Sequence, residues 1–203
     1  MKSPRSTPHC IACAVAWLAV VWIDFASAAC DSDIGGFVSL SGAIEVQSAG
    51  TGPWTAADLT TRLCEGDSVR VGERSRAAIA LANNGVLRLD QTTTIRLLNI
   101  AGDNEEESLL ELVKGVFQSF SRKPHKLTIN TPYLNGSIEG TEFIARSGTN
   151  SAEFTVFEGI VVTSNAQGRL ALKPGESARA TAGQAPSLQL LVKPRDGAQW
   201  ALY

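Results

Sequence analysis

The sequence contains few histidines, few aromatic residues and no excess of basic charge. It has 2 histidines in 203 residues, 6% aromatic residues and a formal net charge of −2. A chain without a basic field does not attract nucleic acid, so we expect no nucleic-acid partner. Few aromatics together with 18 glycines favour short strands and turns over long helices.

Motifs that carry catalysis are also scarce. Downstream of the N-terminal segment the single histidine is His125, and no nucleophile motif lies near it. The sequence has no Gly-x-Ser-x-Gly elbow, phosphate-binding loop or His-Glu-x-x-His helix. The carboxylates Glu65 and Asp67 flank a turn glycine, which predicts turn-stabilising groups that face solvent. We therefore predict that the protein is not an enzyme and has no cofactor or metal.

Residues 1–28 have the features of an export signal. Lys2 and Arg5 form a positive leader, an apolar run follows from residue 11 to residue 23, and Ala26-Ser27-Ala28 provides a small-residue cleavage site. An uncleaved membrane anchor is the alternative, but a bilayer span needs roughly 20 apolar residues. We expect a signal-peptide helix, cleavage after Ala28, and a periplasmic or secreted protein without a stable membrane span.

Two of the 4 cysteines lie in this leader, and Cys30 and Cys64 remain after cleavage. In an exported protein, two cysteines most simply form one disulfide. Two free thiols are the alternative. Lipidation of Cys30 is a further alternative, although Ser27 occupies the position at which a lipidation signal normally carries Leu.

From residue 35 onwards, short runs of alternating apolar residues are separated by Gly, Asn or Pro. Residues 77–81 and 87–89 flank the Asn84-Gly85 pair, which predicts a β-hairpin. The runs recur at a spacing of roughly 8–12 residues, as in a sandwich, barrel or solenoid. We place an all-β domain at residues 35–182 and a C-terminal linker and tail at residues 183–203.

Two charged segments predict loops. Residues 101–108 are rich in Asp and Glu, and we interpret them as a solvated acidic loop. Residues 121–126 form a short basic turn, either solvated or in contact with an anionic partner.

A more specific signal lies between residues 128 and 143. Thr131-Pro132 ends one predicted strand, and Gly140-Thr141-Glu142-Phe143 lies inside the next. Strict alternation places Glu142 on the face of Ile138 and Ile144 and predicts that it is partly buried, with an exposed strand residue as the alternative. A buried carboxylate needs a charged or hydrogen-bonding partner, and Gly140 permits close approach of another backbone. The candidate partners are Arg76, Arg88 and Arg122.

An ordered set of motifs resembles the FecR family. The set covers residues 35–182 and consists of Gly36-Phe37-Val38, Trp54-Thr55-Ala56-Ala57, Gly66-Asp67, Ser75-Arg76-Ala77, Asn84-Gly85, Leu87-Arg88-Leu89, Thr131-Pro132, Gly140-Thr141-Glu142-Phe143, Val156-Phe157-Glu158-Gly159, the turn from Asn165 to Gly168, and Pro174-Gly175-Glu176. Single motifs are weak, whereas their shared order is specific.

The resemblance implies a compact right-handed β-helix in the periplasm, preceded by the signal-peptide helix, with a β-sandwich as the alternative fold. Family members with the full regulatory layout relay the state of a TonB-dependent receptor to an anti-sigma/sigma pair through a cytoplasmic segment, which we do not find in this chain. Residues 193–203 resemble the junction after which related proteins continue into tetratricopeptide repeats.

From these features we predict a non-catalytic protein-binding module whose partner is another envelope protein. One alternative is a component of TonB-receptor-linked signalling, and the other is a carbohydrate- or peptidoglycan-binding domain. Trp200, Leu202 and Tyr203 are the candidate interface, because aromatic anchors are typical of interface hot spots.

Overall fold

The computed structural model describes residues 33–100 and 107–190, together with Trp200. The predicted signal peptide, Cys30, Leu202 and Tyr203 lie outside the described residues. A short 3-10 turn spans Ser48–Gly50. The strands are, in chain order, β1 (Gly35–Ser41), β2 (Ile44–Gln47), β3 (Thr55–Ala56), β4 (Arg62–Leu63), β5 (Ser68–Val71), β6 (Arg76–Leu81), β7 (Gly85–Leu89), β8 (Thr94–Asn99), β9 (Ser108–Asn130), β10 (Asn135–Ser147), β11 (Ser151–Asn165), β12 (Gly168–Leu172), β13 (Glu176–Thr181) and β14 (Ser187–Leu190).

The strands form one open, branched sheet. Its main path runs β14-β13-β11-β10-β9-β7-β6-β1-β4, and β12 pairs with β11. A second branch, β8-β5-β2-β3, joins the main path at β9. This branching is possible because β9 is 23 residues long. The start of β9 pairs with β8, its middle pairs with β7, and β10 pairs with it from Gly115 to Ile129.

The pairing confirms the all-β class but does not show the expected β-helix. In the described residues every strand pair is antiparallel. A right-handed β-helix stacks parallel strands within each sheet. Neighbouring parallel strands of one sheet cannot be joined directly by a tight turn. Turns return several strands antiparallel beside their predecessors, as in β6-β7, β9-β10 and β10-β11, so the described residues form an open antiparallel sheet and do not show a solenoid.

The predicted hairpin around Asn84-Gly85 is confirmed by the antiparallel pairing of β6 and β7. Asn84 adopts a φ of 62°, and the side-chain oxygen of Asn83 accepts a hydrogen bond from the backbone N–H of Gly85 at 3.0 Å. Asn tolerates this left-handed conformation better than most residues, which explains why the turn forms here.

One hydrophobic cluster joins both branches of the sheet. Ile79 and Leu87 enter it from the β6-β7 branch, and Val69 and Ile95 enter it from the β5-β8 branch. Alternate residues along these strands are buried, as expected when one face of an antiparallel sheet packs on a core. The opposite face of β6 and β7 is therefore available for contacts outside the core.

The segment predicted as linker and tail contributes a strand to the sheet. Within residues 183–203, β14 pairs with β13, and Leu190 lies opposite Glu176 in this pairing. No helix in the described ranges combines the length and apolar character required to cross a lipid bilayer.

Candidate functional site

The described part of the chain contains no group of three or more His, Cys, Asp or Glu side chains that could hold a metal ion. What the sheet presents instead is a row of residues across seven of its strands. Cα pairing joins each member of the row to the next. From β4 to β11 this row, called here the Phe120 row, consists of Arg62, Gly36, Ala80, Val86, Phe120, Glu142 and Glu158.

Alternation directs the Phe120 row away from the core. Ser119 and Ser121, the chain neighbours of Phe120, are buried, whereas the Phe120 side chain is 42% exposed. Val86 lies opposite Phe120 on β7, and its own chain neighbours are also buried. Exposed aromatic side chains of this kind are enriched at protein interfaces.

Two depressions lie along this row and share Ala80 and Leu81 in their linings. The larger has a volume of about 450 Å³, and Val86, Arg88, Phe120 and Arg122 contribute to its lining. The smaller has a volume of about 370 Å³ and includes the exposed side chains of Val38 and Leu59. We call them the Phe120 depression and the Leu59 depression, and together they form one groove across five strands.

Charge is distributed unevenly along the groove. Among the described residues, the lining of the Phe120 depression contains two arginines and no carboxylate. In the Leu59 depression, Arg62 is paired with Asp33 at 3.6 Å, so that end is close to neutral. The carboxylates Glu142 and Glu158 lie on the other side of Phe120, on β10 and β11. The groove is therefore apolar at one end and cationic near Phe120.

Glu142 is half-buried, and the hydrogen-bond partner that the structure shows is an amide instead of an arginine. The side-chain N–H of Gln118 donates to a Glu142 carboxylate oxygen at 2.8 Å. Of the three candidate arginines, Arg76 pairs with Asp90 at 3.3 Å, and the side chains of Arg88 and Arg122 are exposed. An amide partner satisfies the half-buried carboxylate because water still reaches it.

A β-bulge in β10 changes which face its side chains occupy. The register with β11 shifts between Gly140 and Glu142 and again before Phe143. Ile138 before the bulge and Phe143 and Ala145 after it all belong to the core cluster. The sequence-based placement of Glu142 on the face of Ile138 was therefore wrong, because an inserted residue reverses strict alternation.

Two glycines allow the backbones to meet at this bulge. A Cβ on Gly140 would lie 2.6 Å from the carbonyl oxygen of Glu158. Gly159, its partner on β11, has a φ of 99°, and a Cβ there would lie 2.3 Å from the Cα of Gly140. The glycine of the Gly-Thr-Glu-Phe motif thus has a structural role, as close approach requires.

The other residues of the predicted motif shape the path into and along β10. The hydroxyl of Thr131 donates to the carbonyl of Leu134 at 2.6 Å and closes the turn between β9 and β10, in which Pro132 lies. Phe143 packs edge-on against Phe117 with ring centroids 6.0 Å apart. Thr141 is buried, and its hydroxyl has no hydrogen-bond partner among the described residues.

The basic turn forms an excursion inside β9 instead of a connection between strands. Glu142 pairs with Phe120, whereas Gly140 pairs with His125, so residues 121–124 leave the ladder with β10. Arg122 and Lys123 are exposed on this excursion. It places Arg122 at the rim of the Phe120 depression.

Asp67 is a buried carboxylate that joins two loops, contrary to the prediction that it faces solvent. One oxygen accepts a hydrogen bond from the backbone N–H of Ala49 and the other from that of Cys64, each at 2.8 Å. Because Cys30 lies outside the described residues, its pairing with Cys64 stays a prediction.

The C-terminal candidate interface is largely outside the described residues. Trp200 is half-buried, and Leu202 and Tyr203 are not described. This interface therefore stays a prediction.

Sequence reasoning did not single out the groove. The sequence places Phe120 in a strand-like run, Arg88 in the Leu87-Arg88-Leu89 motif and Arg122 in the basic turn, without indicating that the three share one surface. The sequence does carry a signal for this surface. Alternation places Phe120 on the other face of its strand from Phe117 and Ser119, directly before the basic turn. A large aromatic on a strand's solvent face marks a surface for contacts.

The fold and the groove define an open antiparallel β domain, and a comparison with protein families gives its family. Residues 67–162 match the family model described as FecR protein. This segment therefore resembles a FecR domain, as the ordered motifs predict. Comparison of the sequence with curated proteins gave no match.

Solved structures share this fold. Two crystal structures of a "putative anti-sigma factor" from Parabacteroides distasonis are each 14% identical to the chain, with TM-scores of 0.57 and 0.58. Each similarity covers 66% of this chain, and the chain spans 63% and 64% of the lengths of those proteins. At this identity the similarity establishes the fold alone.

Proposed function

We propose that the protein is an exported, non-catalytic, protein-binding FecR module of the cell envelope, which senses or scaffolds in cell-surface signalling. The observation that carries this proposal is the groove along the Phe120 row, an open surface with exposed apolar and cationic side chains. Aromatic and arginine side chains are the residues enriched in protein interfaces. The match of residues 67–162 to the FecR family model supports a role in signalling.

A protein partner is favoured over a carbohydrate or peptidoglycan strand. Binding of an extended polysaccharide is favoured by a row of exposed aromatic rings. Among the described residues Phe120 is the one exposed aromatic side chain. The ring of Trp54 is covered by the guanidinium of Arg70, whose central carbon lies 4.3 Å from the ring centroid. The groove thus offers a single aromatic anchor instead of a series.

A component of TonB-receptor-linked signalling to an anti-sigma/sigma pair is the second candidate function. The similarity to structures described as an anti-sigma factor favours it. In both cases we propose a periplasmic or secreted location, supported by the leader in residues 1–28 and by the envelope association typical of the family.

Site-specific photo-crosslinking in the periplasm tests the proposed function. A photo-reactive amino acid replaces Ala82, an exposed residue in the lining of the Leu59 depression, and a matched control carries it at Ala166, in the exposed turn between β11 and β12. We expect a protein adduct from position 82 that is absent from position 166 and reduced by Phe120→Ala.

The identity of the captured protein separates the two candidate functions. A TonB-dependent receptor or an anti-sigma protein supports the signalling candidate, and another envelope protein supports a scaffold. If position 82 captures no protein, or captures the same proteins as position 166, the groove is not a protein-binding surface.

A further inference from the structure

We infer that the β-bulge of β10, with the strands on either side of it, forms a binding site for one Ca²⁺ ion. The ligands are the carboxylates of Glu142 and Glu158 and the side-chain oxygen of Gln118. With two carboxylates, this set is smaller than the groups of His, Cys, Asp or Glu that are absent from the described residues. The site is contrary to the sequence-based prediction of no metal. It is also separate from the proposed protein-binding surface, because its ligands line neither depression of the groove.

The two glutamates form a like-charged pair across neighbouring strands. Glu142 on β10 lies opposite Glu158 on β11 in the Cα pairing. Residues directly opposite each other have Cβ atoms about 4.5–5.5 Å apart, and like charges in such a pair destabilise a sheet. Among the described residues, neither glutamate belongs to an ion pair. A divalent cation between the two carboxylates replaces their mutual repulsion with attraction to the ion.

A buried side-chain oxygen without a hydrogen bond lies beside this pair. Gln118 is 5% exposed, and its side-chain N–H donates to a Glu142 oxygen at 2.8 Å. An ionised carboxylate only accepts hydrogen bonds, so this contact fixes which end of the amide faces Glu142. The Gln118 side-chain oxygen is buried and accepts no hydrogen bond from the described residues. Such an oxygen is costly to bury alone, and native proteins satisfy it with a donor, an ordered water or an ion.

The dimensions allow one ion to contact both groups. The oxygen and nitrogen of an amide lie about 2.3 Å apart, so the Gln118 oxygen lies within about 5 Å of the Glu142 oxygen that its amide contacts. Ca²⁺ binds oxygen ligands at about 2.3–2.6 Å, and an ion between two ligands therefore bridges up to about 5 Å. Glu158 is exposed, so its side chain can approach the same ion from the solvent side.

The arginines nearest to the site do not take the place of the ion. Arg88 lies opposite Gln118 on β7 and already has a partner. Arg122 lies two residues beyond Phe120, in the part of β9 that leaves the ladder with β10, so it is not paired opposite either glutamate. The charge that neutralises the two carboxylates therefore comes from solution.

The chemistry of the ligands selects Ca²⁺ among the metal ions. Carboxylate and amide oxygens suit hard cations, whereas transition metals favour nitrogen and sulfur ligands. Mg²⁺ requires a near-ideal octahedron and retains its water, but Ca²⁺ accepts the irregular ligand arrangement that a β-bulge provides. Because two carboxylates and an amide leave the remaining positions to water, we expect a Kd of about 0.1–1 mM, as in extracellular calcium-binding modules.

Thermal unfolding of the purified mature chain tests the site. Circular dichroism follows unfolding in EDTA and then in CaCl₂, with ionic strength held constant by NaCl, and isothermal titration calorimetry gives Kd. At a calcium concentration ten times Kd, we expect Tm to rise by about 3–6 °C, because the ion binds the folded state alone. MgCl₂ at the same concentration should raise Tm less.

Glu158→Gln distinguishes a calcium site from a general effect of salt. In EDTA this variant should be at least as stable as the wild type, because it removes one of two like charges. It should bind calcium about tenfold more weakly, which limits the rise in Tm to about 1–2 °C at the same concentration. Gln118→Met, which removes the amide oxygen, should also weaken calcium binding. The matched control Glu153→Gln changes a half-buried carboxylate of β11 outside the site and should retain the full rise.

Three results would overturn the inference. The first is a Tm that calcium does not raise above its value in NaCl, which leaves an ordered water as the partner of the Gln118 oxygen. The second is an equal rise in the wild type and in Glu158→Gln, and the third is an equal rise with magnesium. Because Glu158 is exposed, its Gln variant should keep the fold, and far-ultraviolet circular dichroism in EDTA checks this. Photo-crosslinking at position 82 is independent of all three results.

Discussion

Asp67 offers a sharp test of what holds the first branch of the sheet together. Its buried carboxylate accepts hydrogen bonds from the backbone N–H groups of Ala49 and Cys64, both at 2.8 Å. Asp67→Ala removes both acceptors and leaves two backbone donors without partners. The contact also links the loop after β2 to the turn before β5, so its loss loosens two connections at once.

The magnitude follows from the two hydrogen bonds. Each bond to a charged group contributes about 1.5–3 kcal/mol, which gives about 3–6 kcal/mol for the pair. Ala49 is exposed, and water therefore replaces part of its lost bond. We expect Asp67→Ala to lower the free energy of unfolding by about 3 kcal/mol and Tm by about 6–12 °C. Asp67→Asn keeps one acceptor oxygen and should cost about 2 kcal/mol.

Urea and thermal unfolding followed by circular dichroism measure these changes. Glu65→Ala is the matched control, because Glu65 is an exposed carboxylate in the same turn. Hydrogen exchange adds a local reading, since the amide protons of Ala49 and Cys64 should exchange faster in Asp67→Ala. A free energy for Asp67→Ala within about 0.5 kcal/mol of wild type would refute the reasoning, because surface substitutions have effects of that size.

Three further predictions concern the bulge, an exposed turn and the cysteines. Gly159→Ala should lower stability by about 2–5 kcal/mol in urea unfolding, because its Cβ meets the backbone of Gly140 and its φ disfavours Ala; an unchanged midpoint would contradict this. Hydrogen bonds hold the pKa of Asp58 below its usual 3.8, and the largest contribution comes from the hydroxyl of Thr60. Smaller contributions come from the backbone of Thr60 and from Thr61. The resulting stabilisation is present above the unfolded-state pKa and is lost as pH falls through the lower folded-state pKa. Carbon NMR titration should show the lowered pKa of Asp58 in the wild type and a higher pKa in Thr60→Ala. An unchanged titration in Thr60→Ala counts against the assignment. A disulfide between Cys30 and Cys64 should contribute roughly 3–4 kcal/mol in the chain-entropy model, and intact mass without reductant should show no alkylatable thiol in the mature chain.

Local signals predicted some elements of the fold well. The hairpin of β6 and β7 was predictable because an Asn-Gly turn and alternation on both sides act within a dozen or so residues. The turn at Thr131-Pro132 was predictable for the same reason, since Thr131 bonds to Leu134 within that turn. In both cases the residues that determine the structure are neighbours in sequence.

Features that depend on distant pairing were not predictable in this way. Gly115 and Pro124 divide residues 108–130 into separate runs, yet β9 continues past both because it pairs with β10 on either side of residues 121–124. Spacing between strands does not reveal their direction, so the sequence left sandwich, barrel and solenoid open, and the β-helix was expected from the family resemblance alone. The groove depends on the registers of several long-range pairs, and no single segment of the sequence encodes them.

The Phe120 row has a consequence for how the domain is delimited. The family match begins at residue 67, but β1 and β2 precede it and supply the partners of β6 and β5. At the other end, β12 and β13 follow residue 162 and pair with β11. A fragment cut at these limits exposes three strand edges, which invite association between chains. It also lacks Gly36 and Arg62, so grafting this surface onto a relative requires transfer of β1 and β4 as well.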